Sequence, residues 1–187
     1  MATNADSWLI TVDEFLKMDF GPDRKAELVG GVIRMMGGGT RVHARVQANL
    51  VYHLMLALKG SSCRPYGSDM AVRINGTELR YPDVSVYCGE QQTPEYDLDL
   101  AGTDPTVVFE VLSPSTKRID QQAKLPDYQS VRSIKTIVYI DPVGELIRTI
   151  VRSGDLGWID SGLKQVEALE LASLGVSIPA RDIFARS

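Results

Sequence analysis

Hydrophobic positions recur at helical spacing in one long stretch of the chain, residues 40–59. Valines and leucines occur there four residues apart, and a threonine with capping potential opens the stretch. A second helix is predicted from Ser115 or Thr116, and Pro126 must disturb it because proline lacks an amide donor and clashes with the preceding turn. A capping-box pattern beginning at Thr11 predicts a further, short helix.

Apolar stretches between turn signals predict strands for most of the remaining chain. Residues 106–113 are apolar on both faces, which is typical of a central strand, and 134–141 form a second buried strand. The other predicted strands are a hairpin around Gly30 and Gly31, then 63–74, 79–88, 145–152 and a weak strand at 164–171. The stretch 89–105 is predicted to be a loop. The fold class is therefore α/β or α+β, a mixed β-sheet core flanked by helices, in one domain over 1–187.

Composition places the chain among ordinary globular proteins. Its 187 residues are 44% hydrophobic and 24% charged. No run approaches the roughly 18 apolar residues that a membrane span needs, and no basic start followed by an apolar stretch marks a secretory signal. Cys63 and Cys88 lack CxxC or Cys/His clustering, so we predict two unpaired thiols in a reducing cytosol. We expect a cytoplasmic protein that makes no membrane contact.

Charge is distributed unevenly along the chain. The net charge of −4 argues against a strong, non-specific nucleic-acid coat, but it allows an enzyme that meets nucleic acid through a local basic patch. Residues 88–104 carry five acids and no base, whereas 116–135 carry five bases against two acids. The usual meaning of such runs is a solvated face.

Glu110 is the most unusual residue of the predicted central strand. It is an acid inside the apolar run TVVFEVL, and buried carboxylates need a partner, a metal or a proton. Asp83 is a second acid inside the predicted strand 79–88. If the two strands are neighbours, alternation of side chains brings Asp83 and Glu110 together on one face. Two carboxylates that close repel each other, and a divalent cation such as Mg²⁺ would relieve the repulsion.

A hydrolytic metal site often includes a cation that positions water or stabilises developing negative charge. The simplest position for it is two residues after the glutamate, where this chain has Leu112. Lys124, on the following helix, is the nearest substitute. Its long side chain could reach back to the strand pair, and Tyr128 lies one helical turn further on the same side.

These residues resemble the Uma-two family of endonucleases, within the PD-(D/E)XK nuclease superfamily and its restriction-endonuclease-like fold. The motifs that carry the resemblance are Tyr81-Pro82-Asp83-Val84, Glu110-Val111-Leu112-Ser113-Pro114-Ser115-Thr116, Asp120, Lys124, Tyr128 and Val138-Tyr139-Ile140-Asp141-Pro142. Further matches at Thr11–Phe15, Glu27, His43 and Pro179 extend it over nearly the whole chain.

The resemblance implies a metal-dependent endonuclease that hydrolyses DNA phosphodiester bonds. Asp83 and Glu110 would bind Mg²⁺ or Mn²⁺, with the carbonyl of Val111 as a third ligand. Lys124 would replace the lysine that the superfamily normally carries at the position of Leu112. Glu27 is expected to add a carboxylate to the metal site, and His43 and Tyr128 are expected to be accessory residues.

Several alternatives remain open from the sequence alone. Asp83, Glu110 and Lys124 could form a buried structural ion triad without a metal. The chain could also be a non-catalytic module, such as a homodimer, that binds nucleic acid or protein on the same fold. His43, at the end of an apolar helical stripe, has the position of a core-edge histidine, and Tyr128 that of a packing aromatic.

Overall fold

A computed structural model describes residues 9–22, 24–89, 98–113, 117–155 and 157–186. Its helices are α1 (Val12–Phe15), α2 (Arg41–Ala57), α3 (Lys117–Ser130) and α4 (Ala180–Ile183). Its strands are β1 (Ala26–Val29), β2 (Val32–Met35), β3 (Cys63–Gly67), β4 (Ala71–Arg73), β5 (Leu79–Arg80), β6 (Val84–Cys88), β7 (Ala101–Gly102), β8 (Val107–Val111), β9 (Thr136–Asp141), β10 (Leu146–Ser153), β11 (Gly157–Asp160), β12 (Ala168–Leu171) and β13 (Val176–Pro179). Residues 114–116, where the second long helix was predicted to begin, lie outside the described part of the chain.

A six-stranded sheet forms the centre of the fold, in the order β11-β10-β9-β8-β6-β3. Strands β8 and β9 are parallel, and β6 runs antiparallel to β8, with Val84 opposite Phe109. Every residue of β8 and β9 is buried, as their continuous apolar sequences predicted. A five-stranded sheet follows the order β2-β1-β5-β4-β7, and β12 pairs with β13. The predicted class, a mixed sheet fold flanked by helices, is confirmed.

The long helix α2 forms because Thr40 caps it and because its apolar stripe has a core to cover. The Thr40 hydroxyl accepts a hydrogen bond from the His43 amide at 3.3 Å. Val46, Leu50 and Leu54 are fully buried in one apolar cluster with Val107 and other residues of the six-stranded sheet. Helix α3 contributes Tyr128 to a second cluster that contains Val108, Leu112 and Ile137. The central sheet therefore separates two cores.

Two predicted strands are each divided in the structure. The stretch 79–88 separates into β5, which belongs to the five-stranded sheet, and β6, which belongs to the six-stranded sheet. Pro82 lies between them, and proline cannot donate to a sheet ladder. The stretch 63–74 separates into β3 and β4 at a turn closed by the Met70 amide and the Gly67 carbonyl, 3.1 Å apart. Strand β11 was not predicted, and β7 lies inside a stretch predicted to be a loop.

The prediction of two unpaired thiols is wrong. Cys63 and Cys88 form a disulfide, and their Cα atoms are 4.0 Å apart. The reason is the register of β3 and β6, which places the two cysteines directly opposite each other although 25 positions separate them in sequence. The inference of a reducing cytosol from free thiols therefore loses its basis.

Among the helices that the structure describes, none has the length and apolar character needed to cross a membrane.

Candidate active site

Asp83 and Glu110 meet at the point where β6 begins beside β8. The register that sets Val84 opposite Phe109 places Asp83 opposite Glu110 when it is continued by one residue. The carboxylate of Asp83 accepts a hydrogen bond from the Val111 amide, with 2.6 Å between Oδ2 and N. Asp83 is thus fixed to the strand that carries Glu110, as expected if the two strands are neighbours.

Helix α3 supplies two partners to the buried carboxylate of Glu110, which is 5% exposed. The Lys124 Nζ atom lies 3.1 Å from Oε1 and 3.3 Å from Oε2 of Glu110. The Tyr128 hydroxyl donates to Oε1 at 2.6 Å. Residues 124 and 128 are one helical turn apart, so both side chains reach the sheet from the same side of α3. Leu112, by contrast, is buried among apolar side chains.

Strand β1 brings a third carboxylate, Glu27, to the same lysine. Its Oε1 atom is 3.1 Å from Lys124 Nζ, and the same oxygen accepts a hydrogen bond from the Tyr81 amide at 3.1 Å. Lys124 therefore lies between two carboxylates from different sheets.

His43, near the start of α2, contacts Asp83. Its Nε2 atom is 3.2 Å from Asp83 Oδ1. Gly39 leaves room for this ring, because a Cβ atom at that position would lie 2.8 Å from His43 Nδ1. Gln47, one turn along α2, donates from Nε2 to the backbone carbonyl of Asp83 at 2.8 Å. Helix α2 therefore contacts Asp83 both at its carboxylate and at its backbone carbonyl.

Burial and mutual repulsion set the charges of the cluster. Burial, with smaller contributions from Asp83 and Glu27, raises the pKa of Glu110, whereas Lys124 and Tyr128 lower it, and the net result is a pKa of about 7. Burial disfavours the charged form of Lys124, but Glu110 and Glu27 outweigh that cost and raise its pKa, so the ammonium stays charged. Burial also raises the pKa of Tyr128, which keeps its phenol neutral.

His43 responds mainly to its acidic neighbour. The hydrogen bond to Asp83 raises the pKa of His43 against the opposing effect of burial, and a backbone hydrogen bond to Val111 adds to the rise. The ring thus lies against the two groups, the Asp83 carboxylate and the Val111 backbone, that were predicted to take part in metal binding.

The donor set suits a hard divalent cation. Asp83 and Glu110 are oxygen donors, and their repulsion adds to the rise that burial causes in the pKa of Glu110. A cation between the two carboxylates would relieve this repulsion. Among the described residues, no group of three His, Cys, Asp or Glu side chains is arranged to hold a metal ion. Mg²⁺ does not require such a group, because proteins commonly hold it through one or two carboxylates plus substrate phosphates and water.

The structure thus brings together all six side chains that the sequence singled out, and their individual roles remain predictions. The side chain of Asp120 and residues 114–116 lie outside the described part of the site. Sequence reasoning missed Arg80, which is 2% exposed and contacts Glu27. An arginine inside the predicted strand 79–88, three residues before Asp83, was the available signal.

Comparison with known sequences assigns the chain to a family. Residues 12–181 match the Uma2 family model, described as "Putative restriction endonuclease". Two relatives from Synechocystis sp. are the uncharacterized proteins slr1290 and sll1609. The first is 27% identical over 94% of this chain and 91% of its own length, and the second is 27% identical over 85% and 90%.

A solved structure shares the fold. It comes from Anabaena variabilis and is described as "a putative nuclease belonging to DUF820". It aligns with a TM-score of 0.73 over 94% of this chain and 98% of its own, at 17% identity. The resemblance seen in the sequence motifs is therefore confirmed, and this chain belongs to the Uma2 (Uma-two) family.

Proposed function

We propose that this protein is a metal-dependent endonuclease that hydrolyses phosphodiester bonds of DNA at Asp83, Glu110 and Lys124. The observation that carries the proposal is the position of the Lys124 ammonium, 3.1 Å from Glu110 on the face where Asp83 approaches. A lysine from α3 thereby supplies the charge that Leu112 cannot supply from β8. The family and the shared fold support the same reaction class.

The metal-binding part of the proposal uses three oxygen donors. Asp83, Glu110 and the Val111 carbonyl would hold Mg²⁺ or Mn²⁺, with Glu27 as the nearest additional carboxylate. When bound, such an ion supplies positive charge for the scissile phosphate and lowers the pKa of a coordinated water.

The chain's own residues have separable tasks in this proposal. Lys124 keeps a permanent positive charge next to the carboxylates, where it would stabilise the negative charge that develops on the phosphate. Tyr128 donates to Glu110 and fixes the carboxylate's orientation. His43 and the Val111 amide do the same for the two oxygens of Asp83. The bases of the stretch 116–135 other than Lys124 would contact the phosphate backbone, and such contacts orient the substrate without reading its sequence.

Cleavage of plasmid and single-stranded DNA with Mg²⁺ or Mn²⁺ tests the proposal. We expect the wild type to cleave, Asp83→Asn and Glu110→Gln to lose detectable activity, and Lys124→Met to lose on the order of 10²-fold. Glu170→Gln is the matched control, since among the described residues the side chain of this exposed acid on β12 accepts a hydrogen bond from Ser177 and contacts none of the site residues. If the wild type cleaves and the Asp83 and Glu110 variants cleave equally well, the assignment is wrong.

A non-catalytic binding module is the second candidate, and one observation favours it. Lys124 already bridges Glu27 and Glu110, so the cluster is partly neutralised by the chain itself. Calorimetric titration with Mg²⁺ and Mn²⁺ separates the two functions. The nuclease requires metal binding that each carboxylate variant weakens, whereas no detectable binding up to millimolar metal would favour the module.

A further inference from the structure

Arg80 is buried at the end of β5 and contacts carboxylates from three places in the fold. Its Nη1 atom lies 3.3 Å from Glu27 Oε2 on β1, and its Nη2 atom lies 2.7 Å from Glu78 Oε1. Its Nε and Nη2 atoms lie 2.9 Å and 2.6 Å from Asp127 Oδ2 on α3. The planar guanidinium can address several acceptors in fixed directions, which a lysine ammonium cannot do.

The contact with Asp127 attaches α3 to the five-stranded sheet. Asp127 lies three residues after Lys124 and one residue before Tyr128, so it belongs to the same helical turn as the site residues. Pro126 precedes it and has no amide hydrogen to give to the helix. This turn of α3 therefore depends more on contacts outside the helix than a turn of an uninterrupted helix does. Arg80 provides such a contact, which is buried and charged.

The contact with Glu27 reaches the site from a second direction. One oxygen of Glu27 faces Arg80 and the other faces Lys124. The side chain of Glu27 is thereby oriented by the arginine on one side, while it contacts the lysine on the other. Arg80 is thus connected to Lys124 both through the helix that carries the lysine and through a carboxylate that the lysine contacts.

We propose that Arg80 is a positioning residue that holds the Lys124 ammonium between Glu27 and Glu110. A lysine at position 112 would be positioned by the strand itself. A lysine on a separate helix reaches the same site only if contacts between the helix and the sheet hold the helix in place. The consequence for catalysis rests on the proposed nuclease function, but the placement of Lys124 by Arg80 can be measured without it.

Two acidic partners of Arg80 form a matched pair of variants. Asp127→Asn and Glu78→Gln each neutralise one carboxylate that contacts the guanidinium, but only Asp127 lies on α3. We expect Asp127→Asn to displace Lys124 and Glu78→Gln to leave it in place. Arg80→Lys keeps the charge but loses the multiple contacts, so it should behave like Asp127→Asn.

A fourth variant, Arg152→Lys, controls for a general destabilisation of α3. Arg152 also holds the end of this helix, through the carbonyls of Gln129 and Val131, with Nη2 at 3.1 Å and 2.8 Å. Its described contacts include no carboxylate of the site. Arg152→Lys should therefore lower the melting temperature without moving the Lys124 ammonium.

The direct readout is the ¹H–¹⁵N signal of the Lys124 ammonium in metal-free protein, assigned by its loss in Lys124→Met. We expect a shift or loss of this signal in Asp127→Asn and Arg80→Lys, and an unchanged signal in Glu78→Gln and Arg152→Lys. In the cleavage assay the first two variants should lose on the order of 10²-fold in kcat with little change in KM, because a small displacement near the reacting groups is sufficient for such a loss.

The outcomes separate the two proposals. If the signal moves as expected but neither the wild type nor any variant cleaves DNA, Arg80 positions Lys124 and the proposed nuclease function is wrong. If Asp127→Asn and Arg80→Lys leave the signal unchanged, or if Glu78→Gln and Arg152→Lys move it equally, the positioning role is overturned. Should Asp127→Asn not fold, the comparison of Arg80→Lys with Glu78→Gln decides the same question.

Discussion

The side chains on the two faces of β8 differ in the kind of partner that they need from the rest of the chain. Phe109 points into a fully apolar cluster beneath α2, where packing alone determines the contacts. Glu110, the next residue, points to the other side, where Lys124, Tyr128 and the charge of Asp83 surround it. One step along the strand thus separates the stabilising core from the candidate site.

This difference shows how the fold accommodates buried charged groups, whose burial costs free energy. A buried cluster of carboxylates destabilises a protein unless cations and donors compensate it. The face of β8 beneath α2 is stabilised by apolar packing alone, whereas the apolar cluster on the other face must also offset the cost of the charged groups. Proteins commonly depart from optimal stability at functional sites. Variants on the two faces should therefore fail in different ways.

The largest loss of stability is expected from the apolar face. Phe109→Ala removes a fully buried ring from the cluster and should lower the free energy of unfolding by about 3–5 kcal/mol, because a cavity remains. Denaturant unfolding measures it. A loss below about 1 kcal/mol would show that this face is not the stabilising one.

Reduction of the disulfide should have the next largest effect. Cys63 and Cys88 pack against the same apolar cluster and close a loop between positions 25 apart. Breaking the bond should lower the free energy of unfolding by about 3 kcal/mol through the greater freedom of the unfolded chain. Thermal melts of oxidised and reduced protein, with Cys88→Ser as the permanently reduced form, measure the change, and equal melting temperatures would contradict it.

The charged face should show a dependence on pH that the apolar face lacks. The folded-state pKa of Glu110 is raised from 4.5 to about 7, so the folded protein binds more protons than the unfolded chain between these values. The metal-free protein should therefore lose stability as pH rises through this window, on the order of 2 kcal/mol. The raised pKa of His43 acts in the same direction, because its contribution is lost as pH rises above 6.5.

Glu110→Gln should remove most of this dependence and leave the metal-free protein at pH 8 at least as stable as the wild type. Phe109→Ala, although less stable at every pH, should keep the wild-type slope. Unfolding curves from pH 5 to pH 8 without metal make the comparison, and equal slopes for wild type and Glu110→Gln would contradict it.

The smallest effect is expected from an ion pair at the exposed edge of the central sheet. Arg148 Nη2 lies 2.5 Å from Asp160 Oδ2, with both groups partly exposed. Asp160→Asn should lower the free energy of unfolding by less than about 1 kcal/mol, since water and salt screen such pairs. A larger loss in a chemical denaturation experiment would show that burial is not what distinguishes the cluster around Glu110.

Local sequence signals predicted the helices and strands that depend only on residues close to one another in the sequence. The stripe of α2 and the apolar runs of β8 and β9 need only the spacing of hydrophobic residues, and the capping box of Thr11 and Glu14 forms as expected. The presence of buried partners around Glu110 could be foreseen, because a carboxylate in a buried strand requires them. Its neighbour Asp83 followed from the alternation of side chains and the assumption of adjacent strands.

Long-range pairings could not be foreseen in the same way. The disulfide depends on the register of β3 against β6, which nothing within either segment specifies. The division of 79–88 depends on two sheets that diverge at Pro82. Arg80 has three acidic partners, and two of them lie about 50 positions away, so its contacts became visible only in the folded chain.

A crystal structure of the protein with Mn²⁺ tests the central claim most directly. We expect an anomalous peak in contact with the carboxylates of both Asp83 and Glu110, with the Lys124 ammonium still beside Glu110. If no ion is bound at millimolar Mn²⁺ and Lys124 still bridges Glu27 and Glu110, the proposed metal site is contradicted. The cluster would then be a structural set of ion pairs.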